Sequence, residues 1–365
     1  MSEARRGLLP KTWTLLIGFP LFLALWIAAL LLPMPYVTYA PGLTTDVLGQ
    51  QDGKEIISVT GHKTYRDDGQ LRMTTVYVSQ PGARVNIFQV LGAYLDDEQA
   101  VYPYASIYRP DETRDEARRE SALQMVSSQD LAVAAALREM GYDLPIATKV
   151  QEVTTGMPAD GALKVGDQLV RVQGKRIRRP QQVLTAVKDV RPGDQVTLEI
   201  LRDGKPLTVK VDTVAVEGKA KMGIVPGPSY EFPFDVHVNI PPNIGGPSAG
   251  LMFSLAIYDT LTPGSLTDDQ VVAGTGTIDE SGKVGPIGGI AQKIVAARDA
   301  GASLFFVPPD NCDEAAQAED EGLNENMVLV KATTMHDAVA SVEKWTADND
   351  ASLPMCTAAD IKAAS

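Results

Sequence analysis

The chain opens on an uninterrupted apolar run and only later settles into alternation. From Thr12 to Tyr36 it reads TWTLLIGFPLFLALWIAALLLPMPY, with no charged residue, longer than the roughly 20 helical residues that cross a bilayer. The run predicts a transmembrane helix over 12–36, with a buried core helix as the alternative. Pro41 directly after Ala40 disfavours signal-peptide cleavage at the nearest small-residue site. Arg5, Arg6 and Lys11 precede the run, so the positive-inside rule leaves residues 1–11 cytoplasmic and everything after the span outside. Next come YVTYAPG, IISVTG and LRMTTVYVS, short β-rich runs broken by glycine and charge, which predict a small membrane-proximal β unit. Residues 111–140 read as a helix, charged first and apolar last, with Leu123, Val126, Leu131, Ala135 and Leu137 placed to pack. The membrane-proximal region is thus 37–141. Beyond Trp345 the pattern fades, and 346–365 reads as a loosely attached tail.

Residues 142–215 have the pattern of a compact α+β domain. Strands are expected at Gln168–Val172, Gln195–Leu201 and Leu207–Val211 around a helix from Pro180 to Val190, with turns at Gly174, RPGD and RDGK. The run MPADGALKVGDQLVRVQGK resembles the PDZ domains of bacterial envelope proteases. That resemblance implies a sheet edge that takes up an extended peptide. Its loop is expected near MGYDLP, at Gly141 and Tyr142, although a spacer without a ligand would read the same way.

Length and composition narrow the classes. A chain of 365 residues with 44% hydrophobic and 22% charged residues predicts two or three folded units rather than a disordered chain. A formal net charge of −13 argues against a nucleic-acid partner, which needs clustered Lys and Arg. Cys312 and Cys356 are too few for a disulfide scaffold and match no zinc spacing. They are either one disulfide tying down the tail or two thiols. No metal or cofactor is implied.

The chemistry concentrates between 220 and 345. After the strand-like FDVHVNI (Phe234–Ile240), PPNIGG leads through Pro247, Ser248, Ala249 and Gly250 into an apolar helical pattern. Ser248 falls near a helix N-terminus, where free N–H groups and the helix dipole favour a developing oxyanion. Gly246, Pro247 and Ala249 keep its hydroxyl approachable and are the candidates for substrate and oxyanion binding. Serine is also a common N-cap, and both readings stand on the residues alone. Farther on, VAGTGTIDESGKVGPIGG leads into a helix from near Gly289 to Gly301 and then the strand SLFFVP, with Lys293 one turn into the helix.

GPSAG followed by the lysine of PIGGIAQK, with the GTG strand between them, resembles the Ser–Lys proteolytic domain of the Lon family. The resemblance implies an α+β proteolytic domain over 220–345, with Ser248 as nucleophile, Lys293 as general base and Thr275 orienting the lysine. It also implies protein or peptide substrates and makes a homo-oligomeric ring an expectation. ATP-driven members carry an acidic residue three positions before the serine, where this chain has Gly245, and no GxxxxGK[ST] phosphate loop occurs in the sequence. His62, His237 and His336 have no Ser–His–Asp context, though His237 lies close enough in sequence to be the alternative base. As a whole the chain resembles membrane-anchored, PDZ-containing Lon-like proteases of Gram-positive bacteria. The expectation is a multidomain, ATP-independent serine endopeptidase at the outer face of the plasma membrane. The runner-up is a catalytically silent PDZ scaffold.

Overall fold

The computed structural model describes residues 10–66, 68–216, 218–357 and 360, with side chains from Ile17 onward. The expected cytoplasmic segment lies outside the described residues except for its last two positions. In chain order the principal elements are α1 (Pro10–Leu31), β1 (Tyr36–Asp46), β2 (Gln70–Val78), α2 (Ile87–Tyr94), β3 (Ala100–Pro103), α3 (Arg114–Glu139), β4 (Ile146–Val153) and β5 (Gln168–Val172). There follow α4 (Pro180–Val187), β6 (Gln195–Arg202), β7 (Lys205–Asp212), β8 (Ile224–Tyr230), β9 (Asp235–Val238), α5 (Gly250–Leu261) and β10 (Val271–Gly274). The last are α6 (Ile290–Asp299), β11 (Leu304–Val307), α7 (Cys312–Asp320), β12 (Val328–Lys331) and α8 (Met335–Ala347). They fall into two units, one of residues 1–139 with 236–365 and one of residues 140–235.

The first unit is built on a six-stranded sheet in the order β12-β11-β10-β2-β1-β3. Strands β12, β11, β10 and β2 run parallel, while β1 is antiparallel to both β2 and β3. LFFV in β11 is buried throughout, as expected of a parallel strand covered on both faces. This corrects the expected membrane-proximal β unit. Three strands from 36–103 pair directly into the sheet of the later segment, with Gln70 opposite Val271 and Met73 opposite Gly274. The hydroxyl of Thr74 donates to the carbonyl of Gly274 across 200 residues of sequence.

Helix α5 is buried at every position but Tyr258, so its apolar character all round marks a central helix rather than a surface one. It packs between β2 and β10 on the sheet and α3 and α8. Helix α3 is buried from Ala132 to Leu137, but Leu123 and Val126, expected to pack, are exposed. Its packing face against α5 begins only at Met125. Helix α1 ends at Leu31 because Pro33 and Pro35 cannot donate to a continuing helix. The last residues of the expected span therefore lie beyond it, and Tyr36 already opens β1. Among the described residues no helix is long and apolar enough to cross a membrane.

The expected loose tail is instead pinned across the β12 edge. Cys356 forms a disulfide with Cys312, Leu353 is buried, the Lys331 N–H donates to the Pro354 carbonyl, and the Lys331 ammonium pairs with Asp360 at 2.9 Å. An edge strand with open backbone groups gains cover this way. Closing a loop across a separation of 44 residues is worth about 4 kcal/mol in the chain-entropy model. Cys356→Ser is accordingly expected to lower the melting temperature of the first unit. An unchanged melt would show that the tail contributes nothing.

The second unit is a six-stranded sheet, five strands in the order β7-β6-β5-β4-β8 and a short one, Lys175–Arg176, paired with β5, with α4 against it. Its core gathers Val150, Leu169, Val183, Leu198, Ile200 and Met222. Asp167, 2% exposed, takes a two-pronged hydrogen bond from Arg202 at 2.7 and 2.8 Å. Strand β8 pairs along β4 from Ile224 opposite Val153 to Tyr230 opposite Ile146. The boundary expected at 215–220 therefore moves to 235. The expected helix 180–190 is shorter, ending at Val187.

Candidate active site

Three chain segments converge on Ser248. The first is the turn before α5. Its cap position is taken by Ala249, with no side-chain cap hydrogen bond, so Ser248 is not the N-cap. The second is the end of β10, where the Thr275 hydroxyl and the Gly276 N–H both donate to the Ser248 carbonyl, at 2.9 and 2.8 Å. The third is α6, which brings Lys293 Nζ to 2.8 Å from Ser248 Oγ and 2.8 Å from Thr275 Oγ1.

Hydrogen-bond inventory fixes the direction of these contacts. A threonine hydroxyl has one proton, and that of Thr275 is spent on the Ser248 carbonyl. Thr275 Oγ1 can then only accept from the Lys293 amine. A neutral amine held this way keeps its lone pair for the Ser248 hydroxyl. Lys293 is 1% exposed and Thr275 is fully buried, whereas Ser248 is half-buried and reachable. Burial pushes the Lys293 amine down to about 7, because the dry surroundings penalise the charged form. No carboxylate forms an ion pair with it among the described residues.

Helix α6 is preceded by Gly289 at its cap position, whose φ of +70° suits glycine. A Cβ there would lie 3.0 Å from Val76 and 3.1 Å from Tyr39, so β1 and β2 seat the helix that carries the lysine. The turn before it is clamped by Asn311, itself 4% exposed. Its side chain accepts from the Ile287 N–H and donates to the Ile287 carbonyl, both at 2.9 Å. On the serine side, α3 supports the loop: the Gly246 N–H donates to the Ser121 carbonyl at 3.0 Å and the Ser128 hydroxyl to the Pro247 carbonyl at 3.0 Å. Ser121, Ser128 and Asn311 escaped the sequence reading. A serine in a helix and an asparagine after PP carry no signal of distant partners.

The expected oxyanion set is narrowed. Pro247 has no N–H, and that of Gly246 is already donated to Ser121. The N–H groups of Ser248 and Ala249 remain, neither donated elsewhere among the described residues. At Gly245 a Cβ would come within 2.2 Å of Ser121 Oγ, so α3 occupies the space an acidic side chain would need. Among the described residues, the base beside Ser248 is Lys293 and not a histidine. His237 is exposed on β9, the His62 ring lies against the Lys63 carbonyl, and His336 pairs with Glu139 at 2.7 Å.

In the second unit, Gly141 and Tyr142 lie in the short connection between α3 and β4. Gly141, at φ +89°, follows two residues after the end of α3, the usual place for a helix-terminating glycine. Tyr142 stacks edge-on against Phe234 with ring centroids 5.9 Å apart. The open sheet edge beside α4 is β8, beginning at Ile224.

Comparison with known proteins finds both kinds of domain, with matched ranges that run across the bounds of the two units. A family model of the Lon protease C-terminal proteolytic domain matches residues 208–343, and one of the PDZ domain matches 123–213. Residues 36–103, with three strands of the large sheet, lie outside both. The Lon protease of Campylobacter concisus is 27% identical over 184 residues, 48% of this chain and 22% of that protein. Lon protease 1 of Herpetosiphon aurantiacus is 41% identical over 101 residues, 27% of this chain and 12% of that protein. The chain thus spans between 12% and 22% of the length of these relatives. Among solved structures, the PDZ domain of the SdrC-like protein of Listeria innocua aligns at 21% identity over 22% of this chain and 92% of that one, with a TM-score of 0.21. The chain carries a Lon protease C-terminal proteolytic domain together with a PDZ domain.

Proposed function

We propose that the protein is an ATP-independent serine endopeptidase that cleaves flexible or unfolded proteins, with Ser248 as nucleophile and Lys293 as general base. The supporting observation is the buried Lys293 amine, without a carboxylate partner, 2.8 Å from Ser248 Oγ. In this reaction the lysine lone pair takes the Ser248 proton as Oγ attacks the scissile carbonyl, and the oxyanion forms against the N–H groups of Ser248 and Ala249. The lysine then returns that proton to the departing amine, leaving an ester on Ser248. A water deprotonated by the same amine hydrolyses the ester. Thr275 positions the amine, so Thr275→Ala is expected to slow peptide cleavage by about ten- to a hundredfold without abolishing it, on the scale of one orienting hydrogen bond of about 1–3 kcal/mol. A wild-type rate in Thr275→Ala would remove that role.

Independence from ATP rests on the absence of a phosphate-loop motif from the sequence, and a preference for flexible substrates is the counterpart of cleavage without ATP-driven unfolding. Placement outside the plasma membrane rests on the uncharged run 12–36, the basic residues before it and the Cys312–Cys356 disulfide, which persists in oxidising compartments. The β8 edge is where a substrate segment would add as a strand. Pro226 and Pro228 remove two donors from it, concentrating pairing near Ile224. Purified full-length protein, without ATP, is expected to degrade an unstructured protein, and Ser248→Ala to leave it intact. Equal degradation by both would reject the assignment; inactivity of both would favour a scaffold.

A further inference from the structure

Helix α2 has its polarity turned inside out. Asn86 caps it through the N–H groups of Phe88 and Gln89, and Gln89 returns a bond to the Asn86 N–H, so the helix is locally well specified. A surface helix normally turns its large apolar side chains inward. Here the only buried side chain is the small Ala93. Ile87, Phe88, Leu91, Tyr94 and Leu95 are exposed, at 44%, 39%, 51%, 77% and 72%. Their spacing of i, i+1, i+4, i+7 and i+8 gathers them on one side.

This face continues onto α1. The Phe88 ring lies 4.9 Å from that of Trp26, and α1 exposes Leu21, Phe22 and Leu23, then Leu25, Trp26 and Ile27 in succession. Consecutive residues point in all directions around a helix, so a protein partner seated on one side would leave the others wet. A hydrocarbon surround covers them all. The charges nearest α2 do not favour an electrostatic partner: Arg84 precedes it, and the exposed Asp96 and Asp97 follow.

We propose that the exposed face of α2 lies in the headgroup–acyl boundary of a bilayer into which the apolar surface of α1 also inserts, anchoring the proteolytic unit to the membrane surface at a second point. The inference rests on the membrane placement proposed above. Because the contact is apolar, uncharged phosphatidylcholine suffices and salt does not release it. The test uses the full chain in phosphatidylcholine nanodiscs, with an environment-sensitive fluorophore on Leu91→Cys or Tyr94→Cys and, separately, on Leu25→Cys in α1. The native cysteines are tied up in the disulfide. The Leu91 and Tyr94 probes are expected to lose fluorescence to lipids carrying a shallow nitroxide, more than to a deep one, at low and high salt alike. The Leu25 probe is expected to respond most to the deep nitroxide. Unquenched α2 probes beside a quenched Leu25 probe would overturn the inference while leaving α1 in the bilayer. Quenched α2 probes with an unquenched Leu25 probe would reject a bilayer-held α1 and, with it, α2 as a second anchor. Probes at 91 and 94 that are shielded from water yet unquenched would show a protein cover, such as a second copy of the chain, and would equally overturn it.

Discussion

Lys293→Arg is expected to abolish peptide cleavage as completely as Lys293→Ala, with a loss of at least about a hundred- to ten-thousandfold for removal of a general base. Arginine keeps the positive charge and a long stem, so a lysine acting only through charge or packing would be partly replaced. It cannot serve as the base, because its guanidinium stays protonated at any working pH and its planar head does not match the geometry between Ser248 and Thr275. Circular dichroism and thermal melting check the fold of both variants. Substantial cleavage by a well-folded Lys293→Arg protein would remove lysine from the mechanism.

Lys293→Met is expected to stabilise the protein at neutral and lower pH even as it inactivates it. In the unfolded chain a lysine holds its proton to about pH 10.4, whereas the buried amine gives it up at about 7. Between those values the unfolded chain binds the additional proton, so native-state stability rises with pH across the window. Below about pH 7 the penalty is present in full, on the order of 4 kcal/mol for a shift of this size. Methionine matches the length of most of the stem and carries no charge. It forfeits the amine's hydrogen bonds to Ser248 and Thr275, about 1 kcal/mol each. The expected net gain at pH 6 is about 2–3 kcal/mol, with the rise in stability between pH 7 and 10 flattened. Denaturant unfolding of wild type and variant across this range reads both effects. Superimposable curves would mean that the amine is not desolvated in solution. The same ionisation predicts a wild-type kcat/KM that climbs with pH through about 7.

What could be read beforehand follows the range of the interactions involved. The GPSAG turn, the GTG strand and the PIGGIAQK helix start are local signals, and the structure brings Ser248, Thr275 and Lys293 within hydrogen-bond distance. Strands β5, β6 and β7 were visible from alternation and their turns. Partners far apart in sequence were not. Alternation in LRMTTVYVS indicates a strand but says nothing of pairing with VVAG two hundred positions later, so 37–141 read as a separate region. Strand β8, IVPGPSY, has two prolines that hide it from any alternation rule, and the second unit consequently looked shorter than it is. The helix 111–140 was legible as a helix. That its Ser121 carbonyl and Ser128 hydroxyl hold the nucleophile loop was not, since either residue could equally face water.

The assignment of Ser248 and Lys293 is tested most directly by the ester it requires. Full-length protein is mixed with a peptide ester, quenched in acid early in turnover, digested and mapped by mass spectrometry. Ser–Lys catalysis requires the acyl group on Ser248 in wild type, accumulating faster as pH rises through about 7, and no acylated peptide in Lys293→Arg. Turnover with no acyl group on Ser248, or with the group on another residue, would contradict it.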